Sequence, residues 1–221
     1  MVKRNGAAER PRLERDLLVE AEMEAEMEAD EALLSGLEWT GGEVSGHWRS
    51  VLAENSDFSG SVFDGMELAD TAFEKCVLSN SAWREATARR VALSHCQAIG
   101  WEAQLDVAED LVVTDSRLDY AGLSLDMVRG AVRFERCRFK GARFVGNLSR
   151  VRFVDCDLGE ADFSRVNRAR DLDLRGTSMD GATGVMALKG AVISPDQAIA
   201  MAGMLAAEAG FTIAGEDGHE R

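Results

Sequence analysis

The sequence predicts an all-β solenoid with four sides per turn. Two observations carry this. Every fifth residue from Phe58 gives Phe58, Phe63, Leu68, Phe73, Leu78, Trp83, Ala88, Leu93 and Ala98, all apolar. A period of five fits neither an α-helix at 3.6 residues nor a strand at 2, so it reads first as a repeat. The second observation is a sorting at about twenty residues. The residue two before the apolar one is Ser56, Cys76, Cys96, Ser116, Cys137, Cys156 and Thr177 in one column. In another it is Thr71, Val91, Leu111, Val132, Val151 and Leu172. Hydroxyls and thiols stack in one column and mainly aliphatics in the other, as four five-residue sides require. Both positions point inward.

The ladder continues through Ala103, Ala108, Val113, Leu118, Leu123 and Val128. One extra residue moves it to Phe134, Phe139 and Phe144; it slips back at Leu148 and is shifted again at Ala169. The triplets Ala161-Asp162-Phe163, Cys156-Asp157-Leu158 and Ser56-Asp57-Phe58 resemble the A-(D/N)-L-x-x motif of the pentapeptide-repeat family. The resemblance spans roughly residues 37–184. It implies a right-handed quadrilateral β-helix of about seven coils, roughly 34 Å long at ~4.8 Å per stacked strand. The expected division is an acidic N-terminal tail and helix over 1–36, the repeats over 37–184, and a C-terminal helix and tail over 185–221.

Taken in order, residues 1 to about 12 are polar and expected to be mobile. Residues 13–34 read as a helix from their Leu, Glu, Met and Ala content. This helix either caps the first coil through Leu17, Leu18, Leu33 and Leu34 or forms an acidic arm for a basic partner. Acidic pairs such as Glu20 with Glu24 oppose it slightly. Residues 37–55 are a degenerate start, with Trp39 and Trp48 filling the first coil. Residues 99–115 are the weak middle, where Trp101 and Leu111 replace small residues. Asp106 and Asp126 fall at inward positions, where an unpaired carboxylate is costly, so a backbone bulge is expected to turn them outward. After the repeats, Ser194, Pro195 and Gln197 form an N-terminal capping pattern for a helix ending near Ala209, before Gly210. Its Ile199, Met201, Met204 and Leu205 either seal the open coil or pair with a second copy. The resemblance implies a tail-to-tail homodimer, as in the quinolone-protection members.

The 221 residues suit one large domain. No apolar run approaches the ~18 residues of a membrane span, and no secretory apolar stretch follows the N-terminal basic residues. A cytoplasmic protein is expected, without membrane contact. Cys76, Cys96, Cys137 and Cys156 share one inward column and read as free buried thiols. They show no metal-ligand spacing with His47, His95 or His219. There is no nucleophile elbow, phosphate loop or zinc-protease motif. No catalytic, cofactor-binding or metal-binding residue is therefore assigned, and no enzyme is expected.

Surface charge remains. The net charge is −14, unevenly spread: −6 over residues 1–40, −8 over 41–116, +3 over 117–183 and −3 over 184–221. This disfavours direct nucleic-acid binding by the whole surface. Several members of the resembled family bind DNA gyrase or topoisomerase IV by imitating duplex DNA, and protect the enzyme from quinolones or toxins. The resemblance implies DNA gyrase or another topoisomerase as partner, with the acidic first half as the face: Asp57, Asp64, Glu67, Asp70 and Glu74. The alternative is a rigid protein–protein interaction scaffold with a different partner.

Overall fold

The computed structural model describes residues 7–213. Within them the chain winds into a parallel β-solenoid of about seven turns. The period of five arises from one repeated backbone move. Two inward side chains flank an outward one, a second outward residue follows, and the next residue turns the corner in the left-handed region. Asn55, Asp70, Lys75, Asn80, Arg90, His95, Asp115 and Asp155 are such corners. Four corners close a coil, and the next coil lands twenty residues later: Leu68 pairs with Ala88, and Phe73 with Leu93, which pairs with Val113. The sides are numbered from the column of Phe58 (side 1) through those of Phe63 (side 2), Leu68 (side 3) and Phe73 (side 4). Side 1 is held by single bridges, from Glu38–Asp57 and Asp57–Val77 to Asp157–Ser178.

The insertions are changes of one residue at corners. Leu111 pairs with Val132 and Val132 with Val151, offsets of 21 and 19. Glycine is required at two of the tightest corners. A Cβ on Gly46 (φ 120°) or Gly146 (φ 84°) would lie 2.4 Å from the carbonyl oxygen of Met27 or Leu125.

The core is one narrow column. Trp48, Phe58, Phe63, Phe73, Trp83 and Trp101 fill its first half, and Phe134, Phe139, Phe144, Phe153 and Phe163 its second. The weak middle is a volume exchange. The central positions there shrink to Ala98, Ala103 and Ala108, and Trp101 fills the space from the position two before, edge-on to Trp83 at 5.0 Å. Asp106 sits in the expected bulge. Ala86 pairs with Leu105 and Thr87 with Val107, so Asp106 is skipped and leaves the core to the buried Leu105.

The helix expected over 13–34 is not there. Apart from a short 3-10 turn at Arg15–Leu17, this stretch contributes strands at Val19–Glu20, Glu26–Asp30 and Ala32–Ser35. Burial alternates along Glu26–Asp30, with Met27 and Ala29 inward and Glu26, Glu28 and Asp30 outward. The run is thus period two as well as helix-prone, and pairing with Glu43–Arg49 of the next coil overrides propensity. Its carboxylates meet donors one rung on: Glu28 accepts from His47 Nδ1 at 2.9 Å, a contact that raises the imidazole's pKa, and Asp30 pairs with Arg49. The N-terminal segment is docked as far as it is described. The Arg12 N–H donates to Asp70 Oδ1 at 3.0 Å, while residues 1–6 lie outside the described residues.

At the other end the expected helix is broken into α1 (Pro195–Ala200) and α2 (Ala202–Glu208) at Met201. Ser194 and Gln197 form the capping box. Gln197 does more: its Nε2 donates to the carbonyls of Leu174 at 2.6 Å and Thr177 at 2.9 Å, tying the helix to the last coil. Glu208 reaches back to accept the N–H groups of Val185 and Met186 at 3.1 and 2.9 Å. Gln197→Ala is expected to lower stability by about 2–3 kcal/mol, since it removes a cap and leaves two carbonyls unpaired. Urea unfolding of the variant beside the parent checks this.

Candidate functional site

The hollows on the rod are open grooves between rungs. One on side 2, about 460 Å³, is crossed by an ion pair from Arg143 to Glu102 (2.6 Å) over Gly122. Among the described residues, no group of three or more His, Cys, Asp or Glu is placed to hold a metal ion. No helix there is long and apolar enough to cross a membrane. The outward side chains display charge at the fixed spacing of the coils.

The four thiols are free and buried. Burial pushes Cys76 up to about 12 and Cys96 up to about 11, so neither is a thiolate near neutral pH.

The five acidic residues expected to form one face are distributed around a single coil. Asp57 lies outward on side 1, Asp64 at the edge leaving side 2, Glu67 on side 3, Asp70 at the corner of sides 3 and 4, and Glu74 on side 4. Several are already engaged. Asp57 Oδ1 accepts the Ser59 N–H at 2.8 Å. Asp70 takes a two-pronged bond from Arg90 at 2.7 and 2.5 Å, besides the Arg12 N–H. Burial pushes the Asp70 carboxyl up, but these hydrogen bonds outweigh it and hold it below the ordinary range. Glu74 pairs with Arg15 at 2.6 Å.

Register assembles a different acidic group along the rod. At the edge between sides 2 and 3, Asp64, Glu85, Asp106 and Asp126 lie one per rung on successive rungs, with Asp64 directly opposite Arg84 and with Asp106 and Asp126 between the paired Leu105–Leu125 and Val107–Met127. None of the four has a cationic partner among the described residues. Glu67 and Glu109 flank them on side 3, each 3.9 Å from the Arg89 guanidinium, and Glu67 also lies 3.6 Å from His47 Nε2. The edge thus joins Asp64 and Glu67, singled out in the sequence for the acidic face, to Asp106 and Asp126, singled out there only as carboxylates turned outward by a bulge, and to Glu85 and Glu109, which were not singled out. The missed signal was a recurrence at 64, 85, 106 and 126, nearly the coil length. Six carboxylates stand here against Arg84 and Arg89, about one net charge per ~4.8 Å rung. One strand of duplex DNA carries a charge per ~3.4 Å of axis.

The basic stretch 117–183 is largely neutralised. Arg117 and Arg138 clamp the buried Asp119 at 2.6 and 3.2 Å. Arg152 and Arg175 share Asp173 at 3.3 and 2.8 Å. Arg136 bonds Asp115 at 2.6 Å, and Lys140 bonds Glu160 at 3.1 Å. Arg150, Arg168, Arg170 and Lys189 gather instead around a groove at the C-terminal end of side 3. There the sole ion pair among the described residues is a 4.0 Å approach of Arg170 to Asp171.

At the C-terminal end, Met201 is buried and Met204 and Leu205 pack against the core, whereas Ile199 is 77% exposed. Phe211 and Ile213 are also exposed.

No protein-family model matches the sequence, and comparison with curated proteins finds no significant match. Solved structures with loosely similar shape include a trypsin-treated variant of QnrB1, a plasmid-mediated fluoroquinolone resistance protein. It is 19% identical over 82% of this chain and 97% of that one, with a TM-score of 0.44. Full-length QnrB1 is 18% identical over 79% and 99%, with a TM-score of 0.39. HetL, a pentapeptide repeat protein involved in heterocyst differentiation regulation in the cyanobacterium Nostoc sp. strain PCC 7120, is 18% identical over 72% and 84%, with a TM-score of 0.33. The five-residue repeat, the twenty-residue coil and the all-parallel ladder together make a four-sided parallel β-solenoid.

Proposed function

We propose that this solenoid is a non-catalytic interaction rod whose acidic edge substitutes for duplex DNA on the basic surface of a DNA-binding enzyme. The resemblance stated for the sequence points to DNA gyrase or another type II topoisomerase. The observation that carries the reading is the run Asp64, Glu85, Asp106 and Asp126, with Glu67 and Glu109 beside it. Long-range attraction between such an edge and a cationic channel speeds encounter and weakens with salt. The exposed Ile199, with Phe211 and Ile213, offers a second copy a contact that would lengthen the rod, while Met201, Met204 and Leu205 hold the cap.

Purified protein at low micromolar concentration is expected to inhibit supercoiling by gyrase, or to protect it from a quinolone, and to lose effect as salt is raised. The triple change Asp64→Lys, Glu85→Lys, Asp126→Lys is expected to weaken this by tenfold or more, while reversing Asp57 alone changes it little. Equal activity of the triple variant, or activity indifferent to salt, would sink the mimicry reading.

A second reading, a rigid scaffold for another protein, is favoured by the cationic groove of Arg150, Arg168, Arg170 and Lys189 on side 3. A partner with opposite charges at its two ends would bridge both halves of that side.

A further inference from the structure

Outward positions of a solenoid in water are polar as a rule, yet side 4 breaks this. Its outward column reads Leu33, Leu52, Ala72, Ala92 and Val112 on successive coils. Leu52 and Ala72 point away from the core, between the inward Val51 and Ala53 and the inward Thr71 and Phe73, but are 1% and 5% exposed. The segment bonded across this side is residues 7–18. Its Arg12 N–H binds Asp70 Oδ1. Its Arg15 guanidinium forks to Glu54 Oε2 at 3.3 Å and Glu74 Oε2 at 2.6 Å, on consecutive rungs. Ala8, Pro11, Leu13 and Leu18 are half-buried, while Glu9, Arg10, Glu14 and Asp16 face water. The chain then turns at Arg15–Leu17 and enters the ladder at Val19.

We propose that the outer face of side 4 is a docking groove for an extended peptide that presents one arginine, flanked by apolar residues, to Glu54 and Glu74, and that residues 7–18 occupy it in cis. The recognition elements are an aliphatic floor, Leu52 and Ala72, between carboxylates on both margins. Asp70 on one margin takes a backbone N–H, while Glu54 and Glu74 on the other take a guanidinium. A partner peptide of the same pattern enters by displacing the resident strap, which uncovers Asp70 and Glu74 as well. This groove lies across the rod from the acidic edge and stands or falls separately from it.

The test uses the full chain and its Arg12→Glu, Arg15→Glu variant. Both side chains are well exposed, at 73% and 58%, so the solenoid tolerates the change. The probe is a fluorescent synthetic peptide of residues 7–18. The variant is expected to bind it. The native chain binds it at least about tenfold more weakly, because the tethered strap competes at an effective concentration of roughly millimolar. A peptide with glutamate in place of the arginine at position 15 is expected not to bind. Amide exchange gives the second readout: the Arg12 N–H is protected in the native chain and exchanges freely in the variant. Equal binding by the two proteins, no binding by the variant, or an unprotected Arg12 in the native chain overturns the groove. A strap still protected in the variant overturns its recognition through arginine.

Discussion

Trp83→Ala is expected to lower the free energy of unfolding by about 3–5 kcal/mol. Trp83 is buried at the centre of the first aromatic cluster, with ring centroids 5.5 Å from Phe63, 5.4 Å from Phe73 and 5.0 Å from Trp101. The next coil offers only Ala103 at the equivalent position and cannot expand into the space. A solenoid core is one column wide, so the cavity cannot be shared among several layers. Trp83→Phe keeps a ring against Phe63 and is expected to cost about 1–2 kcal/mol. Urea unfolding of both variants reads the difference, and an alanine variant within 1 kcal/mol of the parent would refute this account of the core.

The second large effect is alkaline. Burial raises Cys76 to about 12 and Cys96 to about 11 in the folded chain, while an unfolded thiol titrates at ~8.5. Between about pH 9 and 11 the unfolded chain loses these protons and the folded chain keeps them. Stability contributed by the buried neutral thiols is whole below the unfolded value and is lost as pH rises towards the folded one. Each thiol contributes a fall of about 1.4 kcal/mol per pH unit across that window. The expected result is a steep loss of stability from about pH 9, made shallower by Cys76→Ala with Cys96→Ala. Within the folded state, a thiol reagent at pH 8 should label none of the four at the rate of an unfolded control.

Much of this was legible in the sequence because a solenoid writes its cross-section into its period. The column Phe58, Leu78, Leu118, Phe139 and Leu158 and the thiol column beside it were sufficient to place every side. The bulge at Asp106 followed from the cost of burying a carboxylate. The stretch 13–34 misled because Glu, Met and Ala favour a helix in isolation, while the alternation of Met27 and Ala29 with acids satisfies a strand equally well. Only the neighbouring coil decides between them, and propensity carries no information about that neighbour. The acidic residues of 57–74 misled for a related reason. Proximity in sequence carries them around the rod, whereas residues twenty apart share a surface. The outward aliphatic column Leu52, Ala72, Ala92 and Val112 went unread in the sequence, because it becomes a column only once the coils are set in register.

The corner geometry also bears on how such a chain changes over generations. Because each coil closes after four identical moves, duplicating one coil's worth of sequence, such as residues 77–96, adds a rung and returns every later side chain to its own side. A single added residue is absorbed only where a corner takes it up, as before Val132. Rod length, and with it the reach of a charged edge, is therefore inherited in discrete steps of about 4.8 Å. Lineages sharing this coil should differ in length by whole turns far more readily than by parts of one.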